Sequence, residues 1–153
     1  MKDEITKQLN ESCEVKQKVA EQLSDKIKET ADLVIKTFGS GNKIMLCGNG
    51  GSAAQCQHIA DEFVNKYKKQ RKALPALSLT TDTSNLTAIG NDINFNAIFS
   101  KQIEALGNEG DVLFALSTSG NSKNVLQAIE EAKKKSMKII GLTGESGGEM
   151  ADK

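Results

Sequence analysis

The sequence contains one histidine, one proline and one tyrosine, and only 4% of its residues are aromatic. Its three cysteines, Cys13, Cys47 and Cys56, are odd in number and form no C-x-x-C pair. This argues against a disulfide framework and fits free thiols in a reducing cytosol. No apolar run approaches the ~20 residues needed to cross a bilayer, and the opening "MKDEITKQLNESCEVK" lacks the apolar core of a signal peptide. The expected location is the cytoplasm, without a membrane partner. Neither sign of charge is in excess, with 20 Lys and Arg against 20 Asp and Glu. With so few aromatics, that balance speaks against a general nucleic-acid surface and leaves small polar ligands open. Repeats, linkers and low-complexity segments are also missing.

What is present suits one compact domain over residues 1–153, since 38% of the residues are hydrophobic and the length is enough to bury a single core. Residues 1–38 form an N-terminal helical region. Between residues 3 and 38 there is neither proline nor glycine, and Ile5, Leu9, Val19, Leu23 and Ile27 recur at helical spacing amid charge, predicting one long helix or two. Strand and helix then alternate. "NKIMLC" reads as a buried strand, "SAAQCQHIADEFVNKY" as a helix and "PALSLTT" as a short strand after Pro75. Helices are expected near 84–90 and 95–106. "DVLFALS" is a third strand, "SKNVLQAIEEAKKKS" a helix with an apolar stripe of Val125, Leu126, Ile129 and Ala132, and "MKIIGLT" a fourth strand. "GESGGEMADK" reads as a turn with the start of a further helix. Parallel neighbours need long crossovers, so this alternation predicts an α/β domain with a parallel sheet covered on both faces. In such sheets ligands gather outside the carboxyl ends of the strands.

Two loops fall at such ends. In "CGNGGS", Gly48, Gly50 and Gly51 let the backbone approach a ligand, and Ser52 is placed to cap the next helix. No lysine follows the glycines, so the loop is not a Walker A motif. "GNGGSA" matches the dinucleotide pattern G-x-G-x-x-G/A, but the acidic residue expected ~20 positions on is missing; the nearest candidate, Asp82, lies 31 after Gly51. Nicotinamide binding, a plain strand-to-helix turn and an anion cradle all remain open for this loop. The second loop, "STSGNS", offers the hydroxyls of Ser117, Thr118, Ser119 and Ser122, with Ser122 where a helix should begin. Hydroxyls beside a helix N-terminus suit a phosphate dianion. Ordinary turn and capping chemistry would use the same residues.

On the helix after the first loop, Cys56, Ile59, Ala60 and Phe63 share an apolar face while Gln55, His58 and Glu62 run along its edge. His58 and Glu62 are four apart, so their side chains are neighbours. At 1.5 Å per residue they stand about 9 and 15 Å along the helix from Ser52, within the span of a six- or seven-carbon sugar phosphate. The pair reads as a helix-stabilising contact, as a general base with its neighbour, or as two ligands of a divalent metal. Zinc usually takes at least three ligands from protein, and no second histidine exists in the 153 residues.

Three stretches, "CGNGGSAAQCQHIADEF", "TAIGNDINFNAIFSKQIEALGNEGDVLFALSTSGNS" and "GLTGESGGEMA", together resemble the phosphoheptose isomerases of the sugar isomerase (SIS) family over nearly the whole chain. The resemblance implies a three-layer α-β-α sandwich of flavodoxin- or Rossmann-like type behind the N-terminal helices. It implies a cytoplasmic homotetramer that converts sedoheptulose 7-phosphate to D-glycero-D-manno-heptose 7-phosphate, for heptose building in bacterial lipopolysaccharide or other surface glycans. By the same resemblance Asn49, Gly50, Gly51 and Ser52 contact the sugar, and Ser117, Thr118, Ser119 and Ser122 hold its phosphate. Asn91 and Asp92 reach substrate hydroxyls, from this subunit or a neighbour. Glu62 is the catalytic carboxylate, moving a proton between the first two carbons through an enediol and also touching substrate. His58 and Glu62 ligate a zinc ion, one per subunit.

Two departures accompany the resemblance. Family members carry an arginine where this chain has Lys66, which replaces a forked donor by a point charge. The family also runs about 40 residues further, through another strand and a long helix bearing a glutamine and a second histidine, the expected acid-base partner; these 153 residues do not include them. Two alternatives stay in view. One is a SIS-type regulatory protein that binds the replication initiator, which the resemblance gives a threonine in place of Gly51 and no acid at Glu62. The other is an isomerase of a different sugar phosphate, since phosphate loops do not count carbons.

Overall fold

A computed structural model describes residues 1–144 and 146–153. The chain divides into two compact units, Met1–Ile35 and Lys36–Lys153. One helix, α1 (Lys2–Gly39), covers the expected helical region without a break. Within the first unit its polar face carries exposed pairs such as Lys28–Asp32 at 2.7 Å and Lys26–Glu29 at 2.9 Å, each worth only ~0.3–0.5 kcal/mol. Ile5, Leu9, Val19, Leu23 and Ile27 are 54, 62, 37, 47 and 55% exposed, so the apolar stripe of this unit is in water. Among the described residues no helix is long and apolar enough to cross a membrane.

The second unit is an α/β sandwich. Its elements are β1 (Ile44–Gly48), α2 (Gly51–Val64), β2 (Ala76–Ser78), α3 (Thr83–Asp92), α4 (Ser100–Leu106), β3 (Val112–Ser117), α5 (Lys123–Lys134) and β4 (Lys138–Thr143), with 3-10 turns at Phe95–Ala97 and Gly148–Asp152. The four strands form one sheet in the order β2-β1-β3-β4, parallel throughout. β1 and β3 are buried along their whole length, as expected of unbroken apolar runs at the centre of a parallel sheet. Their register pairs Leu46 with Phe114 and Gly48 with Leu116. The chain leaves β1 towards β2 and then crosses to β3 on the other side, so the switch point of the sheet lies between the carboxyl ends of β1 and β3.

α2 packs against β1, β2 and β3, and α5 against β3, β4 and β1. On the α2 layer, the Phe38 and Phe63 rings meet in a tilted pair, 5.3 Å between centroids and 57° between planes. Met45 and Cys47 of β1 and Leu113 and Ala115 of β3 meet Ile103 of α4 and Val125, Ala128, Ile129 and Ala132 of α5 in one core. The α5 stripe is therefore buried as its spacing predicts, except that Leu126 is only half-buried and Ala128 takes its place. Lys133 and Lys134 occupy the last turn of α5, where cations meet the negative end of the helix dipole. Burying one side chain such as Ile129 contributes ~1.5–3 kcal/mol.

The helix expected over 95–106 is instead a 3-10 turn followed by α4. The Asn94 carboxamide oxygen accepts the Ala97 N–H at 3.1 Å, which ties the chain into a tight turn before α4 begins. The stretch "GESGGEMADK", read as a turn with the start of a helix, yields the 3-10 helix Gly148–Asp152, with its Glu145 outside the described residues.

At the amino ends of the central strands, Asp111 is 1% exposed. Its carboxylate accepts the Lys43 N–H at 3.0 Å, the Asn108 N–H at 2.9 Å and the Asn42 amide at 3.2 Å, and pairs with the Lys43 ammonium. Burial alone would raise this carboxyl, but these donors together hold it below the ordinary range. The knot pins β1 to β3 at the end opposite the loops considered next.

Candidate active site

The first loop leaves β1 through Asn49. Gly50 stands at the N-cap of α2 with φ 53 and ψ −120, a conformation that glycine adopts without a steric penalty. No side chain caps this helix. Ser52 lies inside the first turn and its N–H donates to the Asn49 carbonyl at 2.9 Å, which corrects the expectation that its hydroxyl caps the helix. The Ala53 and Ala54 N–H groups likewise turn back on the Asn49 and Gly50 carbonyls at 3.3 and 3.2 Å, so what this terminus offers an anion is the positive end of the helix dipole without a competing side-chain cap.

The second loop leaves β3 through Ser117, which is 4% exposed. Its hydroxyl shares a 3.0 Å hydrogen bond with that of Ser122. Ser122 is the N-cap of α5, as its position suggested, yet it makes no capping bond to the helix. The Ser119 hydroxyl accepts the Asn121 N–H at 3.2 Å, while Thr118 and Ser119 are exposed. A pocket of about 230 Å³ is lined by Asn49 and Ser52 from the first loop and by Leu116, Ser117, Thr118, Ser119 and Ser122 from the second. Two helix N-termini without side-chain caps flank a small hydroxyl-rich pocket, an arrangement that suits a phosphate.

Asn124, which the sequence reading missed, holds the two loops together. The Asn49 amide donates to Asn124 Oδ1 at 2.9 Å and the Asn124 amide donates to Asn49 Oδ1 at 2.8 Å. Asn124 is 3% exposed on the buried face of α5. A polar residue interrupting the apolar face next to Val125 is the one signal that could have flagged it.

A larger cleft of about 500 Å³ continues from this pocket, lined by Ser52, Gln55, His58, Ile59, Leu116, Thr118 and by Leu142, Thr143 and Gly144 after β4. It shares Ser52, Leu116 and Thr118 with the hydroxyl pocket. A third cavity of about 400 Å³ shares His58 and Ile59 and adds Glu62, Phe63, Tyr67 and Arg71. The three run in sequence along the edge of α2. His58 Nε2 and Glu62 Oε1 are 3.5 Å apart, with the imidazole 74% and the carboxylate 27% exposed. The hydroxyl pocket and the Glu62 carboxylate therefore lie at opposite ends of a row of three adjoining cavities, termed the groove.

Not every expected residue reaches that groove. Asn91 and Asp92 end α3, where the Asn91 amide donates to Asp92 Oδ1 at 2.8 Å, and neither lines the cavities above. α3 starts at Asp82, just after β2, so its last turn lies ~15 Å further along its axis. Lys66 is exposed in the irregular segment after α2. His58 and Glu62 are brought together, but among the described residues no group of three or more His, Cys, Asp or Glu could hold a metal ion. Two donors alone do not make a protein zinc site. Burial pushes the Cys47 thiol far up and that of Cys56 up to about 11, so neither is an activated nucleophile.

The SIS domain family matches residues 8–144. The chain is 51% identical to a phosphoheptose isomerase of a Nitratiruptor species, over 99% of its own length and 81% of the relative's. It is 49% identical to a phosphoheptose isomerase of Shewanella loihica, over 99% of this chain and 77% of the relative. Among solved structures, a phosphoheptose isomerase from Neisseria gonorrhoeae superposes with a TM-score of 0.92 at 44% identity, covering 99% of this chain and 79% of the other. One from Francisella tularensis gives 0.94 at 40% identity, covering 98% and 78%. These levels of identity and coverage, on a sheet whose switch-point loops carry the groove, establish the relationship. The chain belongs to the SIS domain family and, within it, to the phosphoheptose isomerases.

Proposed function

We propose that the chain isomerises sedoheptulose 7-phosphate to D-glycero-D-manno-heptose 7-phosphate. The observation that carries this reading is the groove itself, with a hydroxyl- and amide-rich pocket at one end and the His58–Glu62 pair at the other. The phosphate occupies the pocket of Ser117, Thr118, Ser119 and Ser122, and the sugar passes Asn49, Gly50, Gly51 and Ser52 towards Glu62. Glu62 takes a proton from carbon 1 of the ketose. The electron pair forms the double bond between carbons 1 and 2 while the carbonyl oxygen is protonated, giving an enediol. Return of a proton to carbon 2 and loss of one from the carbon 1 hydroxyl leaves the aldehyde. Asn91 and Asp92 would reach the hydroxyls from a neighbouring subunit. The family resemblance also makes zinc a proposed cofactor with His58 and Glu62 among its ligands. These two residues alone fall short of a site, and the proton transfer above is assigned to the chain's own groups.

Gly51 and Glu62 are both enzyme-like residues, and close relatives such as those above are isomerases, which disfavours the regulatory alternative. Assaying full-length protein on sedoheptulose 7-phosphate and, in parallel, on a six-carbon ketose phosphate tests the substrate. Preference for the seven-carbon ketose is expected; equal or greater turnover of the shorter one would overturn the assignment.

The phosphate pocket has its own test. Ser119→Ala combined with Ser122→Ala is expected to weaken sugar-phosphate binding by ~1–3 kcal/mol, the range for hydrogen bonds to a charged group. Unchanged affinity by titration calorimetry would place the phosphate elsewhere.

The first unit supports the proposed assembly. Its helix leaves Ile5, Leu9, Val19, Leu23 and Ile27 exposed, a stripe whose burial between subunits would supply the association energy of the proposed homotetramer. Light scattering of the full-length protein at micromolar concentration is expected to give four subunits, and Leu9→Glu with Leu23→Glu to reduce that mass. A monomeric wild type would refute it. A cytoplasmic enzyme feeding heptose into lipopolysaccharide or other surface glycans completes the proposal.

A further inference from the structure

α2 has no basic residue in its last turn, although the last four carbonyls of any helix lack partners within it and carry the negative end of the dipole. The missing cation comes from further along the chain. Arg71, in the irregular segment between α2 and β2, folds back so that its Nη2 donates to the Glu62 carbonyl at 2.6 Å and its Nη1 to the Phe63 carbonyl at 2.7 Å. The same Nη1 also donates to the Lys72 carbonyl at 2.9 Å, which fixes the guanidinium against its own loop. The Leu74 N–H adds a second bond to the Phe63 carbonyl at 3.1 Å, and the Asn65 N–H closes the turn on Asp61 at 2.7 Å. Arg71 lines the same cavity as His58, Glu62 and Tyr67. One planar fork thus spans two successive carbonyls, one of them belonging to Glu62.

We infer that Arg71 is a positioning residue for the Glu62 carboxylate. Terminal turns are where helices open most readily, and Glu62 sits in such a turn at the exposed end of the groove. The fork replaces the helical partners that the Glu62 and Phe63 carbonyls lack, and so keeps the carboxylate beside His58 and at a fixed distance from the phosphate pocket. A lysine at this place would supply charge without the two-pronged geometry. The inference rests on Glu62 acting as the base, and it adds a residue that acts on Glu62 through the main chain.

The test uses Arg71→Met, which keeps the apolar stem, and Arg71→Lys, each in the full-length protein, with Glu62→Gln in parallel. Arg71→Met should lower kcat by about 10- to 100-fold, the cost of a small misplacement of a reacting group. KM should stay within ~3-fold because the phosphate loops are untouched. Amide hydrogen exchange should accelerate at residues 63–66 and nowhere else, Arg71→Lys should fall between wild type and Arg71→Met, and added guanidinium ion should restore part of the Arg71→Met turnover. Native kcat with native exchange would overturn the inference, as would a fall in kcat accompanied by faster exchange throughout the chain, the sign of a merely destabilised fold. An active Glu62→Gln would instead sink the base assignment, and with it the positioning role.

Discussion

Replacing Glu62 by glutamine is expected to lower turnover by at least the ~10²- to 10⁴-fold that a general base contributes, while leaving KM near its native value. Glutamine keeps the length and much of the hydrogen bonding of the side chain but cannot accept a proton from carbon. Binding should survive because the proposed phosphate pocket, lined by Ser117, Thr118, Ser119 and Ser122, lies at the far end of the groove, with Ser52 beside it ~15 Å from Glu62 by the rise of α2. The helix itself is not at risk, since glutamine and glutamate have nearly equal helix propensity. Steady-state kinetics on sedoheptulose 7-phosphate checks the split between kcat and KM. A variant that loses affinity while keeping its turnover number would show instead that Glu62 holds the substrate uniformly in ground and transition states.

The second large effect is expected at Gly120, where one methyl group meets backbone that cannot rotate away. Gly120 has φ +67, and a Cβ built there would lie 1.9 Å from the Gly147 carbonyl oxygen and 2.4 Å from its carbon. The Gly120 carbonyl also accepts the Met150 N–H at 3.0 Å, and the Thr118 carbonyl accepts the Gly144 N–H at 3.0 Å. The phosphate loop and the segment after β4 are thus laid backbone on backbone. Gly120→Ala adds ~1–3 kcal/mol of conformational strain, and the collision comes on top of it by forcing the two segments apart. The melting temperature should drop by at least ~5 °C. Phosphate affinity should fall at least as far as in the serine double variant, because the hydroxyls of Thr118, Ser119 and Ser122 move with the loop. Gly39→Ala, where an added Cβ meets nothing within 4 Å, should change stability by no more than ~1 kcal/mol. Similar melting for the two variants would show that the contact between the loops is not tight.

The parts of this arrangement that were readable in the sequence are those set by local pattern. β1 and β3 announce themselves as apolar runs ending in glycine and serine turns, and α5 by a stripe of Val125, Ile129 and Ala132 at helical spacing, because burial of one face imposes a period. Ser122 marks the start of α5 through the preference of serine for the N-cap position. The unread parts depend on partners distant in sequence or on turn geometry. Ser52 looked like a cap, but Gly50 takes the cap position with a positive φ and moves Ser52 into the helix. The 3-10 turn before α4 owes its shape to the Asn94 side chain, which a helical period does not show. The reciprocal amide pair of Asn49 and Asn124 joins residues 75 apart, and Arg71 finds the end of α2 through an irregular loop. Asn91 and Asp92 belong to the recognised pattern, yet α3 carries them away from the groove of their own chain.

The central claim, that Glu62 moves the proton between carbons 1 and 2, is tested most directly by solvent-deuterium exchange. The full-length protein is incubated with sedoheptulose 7-phosphate in deuterium oxide, and nuclear magnetic resonance follows carbon 1 of the recovered ketose. Deuterium should enter carbon 1 with wild type and fail to enter with Glu62→Gln, although that variant still binds the sugar phosphate. Exchange at a near-native rate in the variant would contradict the account, leaving Glu62 a structural or metal-binding residue and the base still to be found.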